Sequence, residues 1–557
     1  MQFRWNHTQG APDYDRETGF GFVTGAVYTA DAGLHIPETN SGFLPLWWYA
    51  GTPISDIQQS EYGLQATAAE ALRTEDAADR RLPVWLRIQV PGEGVYRAAI
   101  TVTGTDGGEV LVFTGRRRLA WRGVLPAGAQ QIVTAYCDVF PIVPRGQADA
   151  VASDAVNIAV VGGALSAVAL AEAPHTRRIW VCGDSTVTDQ TGELPYAPGT
   201  SYAGWGQMLP AYLPEVCITN HAHSGLTTES FLSEGHWAIV KPRLRAGDIC
   251  LFQFGHNDQK LAHLQARGGY TDRLRTYIKE TRTAGAVPVL ITPLARNSWR
   301  DPTHYNDFLA DFADAVLDLG KEEAVPVLDL HAYAMQLIRQ EGLETAKRWF
   351  YPGDYTHTND FGAYRMAGFV AGALGKAVGL PVADVPAWTP APPFAPLTPP
   401  KDCALPAPDT DPFADYDATR PQEVLTRAEA LELAIKALKL FPINVYNDLY
   451  ADIVGHETYA GTVQCAAQND LIPAAWIADG RLYPQRTVTT ADFLAVLMPG
   501  AAGRRLLAAP SPLPDSVPAY ARFAAGQAVA EQLISADSLN DPITRSDAAA
   551  LCRRLHI

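Results

Sequence analysis

Ile179-Trp-Val-Cys-Gly-Asp-Ser-Thr-Val187 decides how the middle of this chain folds. Entered from polar His175-Thr-Arg-Arg178, the short apolar run reads as a buried strand that delivers Gly183-Asp184-Ser185 at its carboxyl end. Open α/β sheets carry their sites at that end, which makes Ser185 the candidate nucleophile. A Gly-Asp-Ser tripeptide standing alone is more often a polar turn capping a helix. The sequence around it therefore has to settle the matter.

From 175 onward the pattern alternates strands with helices. Ile249-Cys-Leu-Phe-Gln-Phe254, Val287-Pro-Val-Leu-Ile-Thr292 and Val325-Pro-Val-Leu-Asp-Leu330 are apolar runs of the buried, parallel type. Phe308, Leu309, Phe312, Val316 and Leu319 share one helical face, as do Tyr270, Leu274, Tyr277 and Ile278. A doubly wound, flavodoxin-like α/β/α sheet is expected. After the strands come Asn220-His-Ala-His-Ser-Gly225, Gly255-His-Asn-Asp258, and Asp354-Tyr-Thr-His357 ahead of a helical stretch. With GDSTV and in this order, the motifs resemble the SGNH (GDSL-type) hydrolase superfamily, and more closely its rhamnogalacturonan acetylesterase branch (carbohydrate esterase family 12). The resemblance covers roughly residues 175 to 380.

Acyl transfer by a serine needs a base in hydrogen-bond reach and a third group to orient that base. His357 matches the base and Asp354 the orienting acid, three residues apart on one turn. The resemblance implies an oxyanion hole made by the backbone NH groups of Ser185 and Gly225 and the side-chain amide of Asn257. Trp205, His221, His223 and His256 are candidate substrate contacts, each with a core or locally satisfied role as the alternative. The G-x-S-x-G elbow of α/β-hydrolases is absent, and no metal or cofactor is called for. After Gly225 stands Leu226-Thr-Thr-Glu-Ser230, where the rhamnogalacturonan branch leads one to expect an Arg-Ser-Thr-type continuation. Acetylated xylan or mannan thereby joins rhamnogalacturonan as a substrate.

The flanks differ from this centre. Residues 1–172 carry short strands of period 2, such as Val84–Val90 and Val95–Val102, with Gly-rich turns between them. They imply a β-sandwich, resembling the galactose-binding-like module of this branch, that binds sugar or only packs on the hydrolase domain of 173–385. Residues 386–412 hold ten prolines, so 386–408 is expected to be an extended linker or an arm laid over a surface. In 409–557 one phrase recurs as Thr426-Arg-Ala-Glu, Thr489-Thr-Ala-Asp and Thr544-Arg-Ser-Asp, each a capping-box pattern before an apolar helix. This mostly helical region resembles S-layer homology repeats. There Arg427 and Arg545 would contribute to binding cell-wall polymer, with Thr490 in place of the middle arginine.

At 557 residues with 47% apolar content the chain is globular and multidomain. A net charge of −16 argues against nucleic acid or an anionic membrane as partner. Seven scattered cysteines indicate neither a disulfide framework nor a zinc site. The start lacks the apolar core of a signal peptide and no run approaches a membrane span, so the protein is either cytoplasmic or has lost a leader, the cell surface being slightly favoured. Two functions stand: an esterase of O-acetylated polysaccharide, or a cell-wall-attached carbohydrate-binding protein whose hydrolase domain is inert.

Overall fold

Arg178–Gly183 is a strand buried at every residue. It lies between Cys217–Asn220 and Ile249–Gln253, followed outward by Val287–Ile291 and Val327–Leu328, all parallel. Numbered along the chain, these strands stand in the order 2-1-3-4-5, the flavodoxin-like arrangement. Apolar side chains are needed on both faces of such a sheet. Trp180, Cys182, Phe252 and Leu290 point into one core with the helices Thr271–Thr283 and Ala310–Glu322. The alternate positions Ile179, Val181, Leu251, Val289 and Ile291 are equally buried.

The computed structural model describes residues 1–4, 11–15, 17–23, 27–29, 33–35, 48–49, 55–68, 82–143, 149–193, 196–261, 263–301, 304–390, 411–438, 440, 449–455, 457–502 and 507–555. The chain divides into two units. The first comprises Met1–Asp258, Ala266–Asn297 and Leu309–Thr398; the second comprises Gln259–Gln265, Ser298–Phe308 and Pro399–Ile557.

Besides the parallel sheet, the first unit holds two larger antiparallel sheets. One runs Gln130–Val139, Gly94–Thr103, Ala164–Glu172, Gly63–Ala68, Ser55–Ser60, with Gln2–Arg4 also paired to Ala164–Glu172. The other runs Arg118–Val124, Glu109–Thr114, Ala155–Val161, Pro83–Gln89, Phe20–Phe22. Ile100, Val102, Val133 and Val168 of the first meet Val84, Leu86, Val112 and Ile158 of the second in a single apolar cluster. Period-2 alternation puts those side chains on the inner faces. Of the proline-rich stretch, 391–410 lies outside the described residues. Its start is laid down on the first unit: Arg122 Nη1 donates to the Pro386 carbonyl (2.9 Å), and the Trp388 ring meets Phe361 edge-on.

In the second unit the three Thr phrases are brought together. The NH of Leu425 donates to the Ile543 carbonyl (2.9 Å), that of Ile543 to Val488 (3.3 Å), and that of Val488 to Leu425 (3.0 Å), which closes a ring. One residue past each threonine the pattern repeats, with Arg427, Thr490 and Arg545 NH groups donating to Arg486, Asp541 and Glu423 carbonyls at 2.9 Å each. From this ring start the helices Arg427–Ala437, Thr490–Ala502 and Arg545–Leu555, whose apolar faces share one core. Thr426, Thr489 and Thr544 each accept from the backbone NH three residues on, and Glu429, Asp492 and Asp547 answer the threonine.

Two expectations are corrected here. Arg427 is buried, with Nη1 donating to the carbonyls of Trp476 (2.7 Å) and Leu482 (2.5 Å). Arg545 is buried too, spent on the Thr419 carbonyl (3.0 Å), the Glu429 carboxylate and the Tyr416 ring. Neither guanidinium is presented to a polymer, because the start of each helix lies inside the ring and turns its arginine into the core.

Candidate functional site

The strand Arg178–Gly183 ends in a turn in which the NH groups of Val187 and Thr188 both donate to the Asp184 carbonyl (3.1 Å each). Gly183 is required there: a Cβ would lie 2.6 Å from the Gln253 carbonyl and 2.7 Å from Val187 Cγ2. Asp184 is fully buried and folds the turn onto itself, its Oδ1 accepting from Thr186 N (2.9 Å) and Thr186 Oγ1 (2.8 Å). Ser185 is left at the edge of the surface, 9% exposed.

Opposite it stands His357, with Nε2 2.8 Å from Ser185 Oγ. Its Nδ1 lies 2.8 Å from Asp354 Oδ2, while Asp354 Oδ1 accepts from the backbone NH groups of Thr356 (2.6 Å) and His357 (3.0 Å). Burial works against ionisation of Asp354, but the hydrogen bond and charge of His357, with the two NH donors, hold its pKa below the usual carboxylate value. An ionised carboxylate only accepts, so the ring proton sits on Nδ1 and Nε2 offers its lone pair to the serine hydroxyl.

Asn257 and Gly225 come from the loops after the third and second strands. Gly225 is exposed at φ +90°, with open space where a side chain would stand. Asn257 Nδ2 donates to the Leu226 carbonyl (3.1 Å). Asp258 ties the two loops together: Oδ1 accepts from Thr228 N (2.7 Å) and Oγ1 (2.6 Å), Oδ2 from Gly255 N (3.0 Å). Burial raises the Asp258 pKa to about 7 despite the Thr228 and Gly255 donors. Nothing in the sequence separates this aspartate from a solvated one.

Three of the four expected substrate contacts, Trp205, His221 and His256, are buried. Trp205 is buried, its Nε1 donating to Gln253 Oε1 (2.8 Å), because the short helix Trp205–Met208 packs beneath the sheet's end. His221 is buried and stacked on Trp180. His256 is buried between Asp184 Oδ2 (3.2 Å) and the Leu294 carbonyl (2.8 Å); burial lowers its pKa and Asp184 partly offsets that. His223 is partly exposed, with Nδ1 against the Ser224 carbonyl (3.1 Å). The aromatic group beside the pair is instead Tyr202, 36% exposed, stacked on Tyr351 at 3.6 Å and edge-on to His357 at 5.7 Å. Tyr202 stands three residues before Trp205, and only its neighbours tell which of the two is buried.

A hydroxyl, an imidazole and a carboxylate in one hydrogen-bonded line, at the carboxyl end of a parallel strand, is the geometry of serine hydrolases. The chain matches the GDSL-like Lipase/Acylhydrolase family over residues 181–365. It is 33% identical over 222 residues to the rhamnogalacturonan acetylesterase RhgT of Bacillus subtilis (strain 168), a match covering 37% of this chain and 93% of that protein. It is also 33% identical over 215 residues to the probable rhamnogalacturonan acetylesterase YesY of the same organism, covering 37% and 95% respectively. Among solved structures, the Bacillus subtilis YxiM protein is 21% identical, with 68% of this chain and 98% of that one covered at a TM-score of 0.36. The chain belongs to the GDSL-like lipase/acylhydrolase family and is a carboxylic ester hydrolase.

Proposed function

We propose that this protein is a serine esterase that removes O-acetyl groups from plant cell-wall polysaccharide, with pectic rhamnogalacturonan the favoured substrate. The observation that carries the reading is the unbroken line Ser185–His357–Asp354. In it, Ser185 Oγ attacks the acetyl carbonyl carbon as His357 Nε2 takes the hydroxyl proton. The tetrahedral oxyanion faces the NH groups of Ser185 and Gly225 and the Asn257 amide, each such donor being worth about 3 to 4 kcal/mol in other enzymes. His357 returns its proton to the leaving sugar oxygen, and a water activated by the same nitrogen then hydrolyses the acetyl-enzyme.

The substrate class is supported by the two relatives named for rhamnogalacturonan. The Tyr202–Tyr351 stack beside His357 is the exposed apolar face a sugar ring would use. The antiparallel sheets of residues 1–172 would be the galactose-binding-like sandwich, 173–385 the catalytic domain, and 409–557 an S-layer homology-like array, the last supported by the ring of Thr phrases. The inert-hydrolase reading loses support with Arg427 and Arg545 buried.

The test is acetate release from acetylated rhamnogalacturonan, homogalacturonan, xylan and mannan by the wild type beside Ser185→Ala. Release from rhamnogalacturonan that the substitution cuts by about 10³-fold or more is expected. Equal release by both proteins, or none from any polymer, would sink the proposal.

A further inference from the structure

The hairpin Gly115-Arg116-Arg117-Arg118, between the strands Glu109–Thr114 and Arg118–Val124, looks in sequence like a solvated tip. In the fold it is driven into the α/β layer. Arg117 is fully buried at φ +57°, a backbone region a glycine would occupy with less strain. A strained arginine at such a position points to a task for its side chain.

The guanidinium of Arg117 lies between the two segments that carry the reacting pair. On one side Nη1 donates to Asp360 Oδ1 (2.7 Å), both side chains being fully buried. Asp360 opens the helix Asp360–Val378, three residues after His357. On the other side Nε donates to the Gln190 carbonyl (3.2 Å), and the Gln190 side chain donates from Nε2 to the Ser185 carbonyl (2.8 Å). Nη2 completes the fork on the carbonyl of Tyr202, whose ring lies edge-on to His357. One planar cation thus joins Gln190, which holds the Ser185 carbonyl, to Asp360 at the start of the helix after His357 and to the Tyr202 backbone, a spread of donors that a point charge on a flexible stem cannot reproduce.

We propose that Arg117, supplied by the antiparallel-sheet module, is a positioning residue that sets the separation of Ser185 Oγ and His357 Nε2. The inference rests on the serine-esterase reading above. It makes the N-terminal module a structural part of the catalytic site.

The full-length chain carrying Arg117→Lys is compared with wild type on 4-nitrophenyl acetate, with active sites counted by a fluorophosphonate and Ser185→Ala run alongside. Lysine keeps the charge and loses the fork. A misplacement of about 1 Å costs on the order of 10²-fold. The expected result is a kcat per titrated site lowered by about 10- to 100-fold, KM within about threefold, and a slower fluorophosphonate reaction at the same plateau. A kcat per titrated site within about twofold of wild type would show that Arg117 only holds the modules together. Should Arg117→Lys fail to fold, Asp360→Asn, which keeps the helix start and removes the ion pair, is read by the same two criteria. Undiminished turnover by Ser185→Ala would overturn the esterase reading and this inference together; an inactive Ser185→Ala beside a fully active Arg117→Lys would overturn this inference alone.

Discussion

Asp354 does two jobs that an amide cannot do together. Its Oδ1 accepts from the NH groups of Thr356 and His357, which folds the turn, and its Oδ2 receives His357 Nδ1–H, which fixes the tautomer. Asp354→Asn can still accept on one atom, so the turn survives, but its NH2 facing Nδ1 favours the tautomer with the proton on Nε2. That form cannot take the serine proton, and kcat is expected to fall by about 10²- to 10⁴-fold, read against 4-nitrophenyl acetate. The same residue sets an acid limb. Its native pKa is depressed, so its stabilisation is present above the unfolded value of about 3.9 and is lost as pH falls through the lower native value. A thermal melt series below about pH 4 should therefore slope less steeply for Asp354→Asn than for wild type; equal slopes would show that the carboxylate is not held ionised. The hydrogen-bonded line Ser185–His357–Asp354 was legible in the sequence because Asp354 and His357 lie on one turn and Ser185 ends an unmistakable apolar run. Tyr202 and Asp258 were not, since an aromatic beside Trp205 and an acid beside Asn257 take their roles from residues distant along the chain.

At the scale of elements, the capping phrases carry more than helix initiation. In the second unit each Thr both caps its own helix and lies next to a residue that closes the ring of three backbone hydrogen bonds. Thr426→Ala removes the acceptor of the Glu429 NH and the hydroxyl donor to the Glu429 carboxylate that also holds Arg545, leaving, of the cap's donors, only the backbone NH of residue 426 on that carboxylate. A loss of about 1 kcal/mol, read as a lower urea midpoint, is expected for the cap alone, and Thr426→Ser should restore most of it. A loss near zero would mean that the ring positions these helices without the caps. The sequence pattern showed three helix starts but not that they meet, so the arginine after Thr426 or Thr544 could be taken for a surface ligand. Burial of those arginines follows from ring closure, a contact between phrases more than fifty residues apart. Arg116-Arg117-Arg118 misleads for the same reason, because a charge run in a hairpin is ordinarily solvated and its buried acid partners lie far along the chain.

At the scale of the whole molecule, the two units are not two halves of the sequence. Gln259–Gln265 and Ser298–Phe308 directly follow Asp258 and Asn297 of the first unit in sequence, yet they group with Pro399–Ile557. Within that unit Gln468 Nε2 donates to Gln259 Oε1 (3.1 Å), so one of these excursions is held by a side chain of the helix Ala460–Gln468. Segments that find their packing in a distant part of the chain lose protection when that part is removed, whereas a strand inside its own core does not. A chain ending before Asp411 should accordingly show faster amide exchange in peptides covering 259–265 and 298–308, with Arg178–Gly183 as slow as in the full chain. Unchanged exchange in both segments would show that their order does not depend on residues 411–557. Faster exchange confined to them would show that packing within the second unit is what orders these two segments.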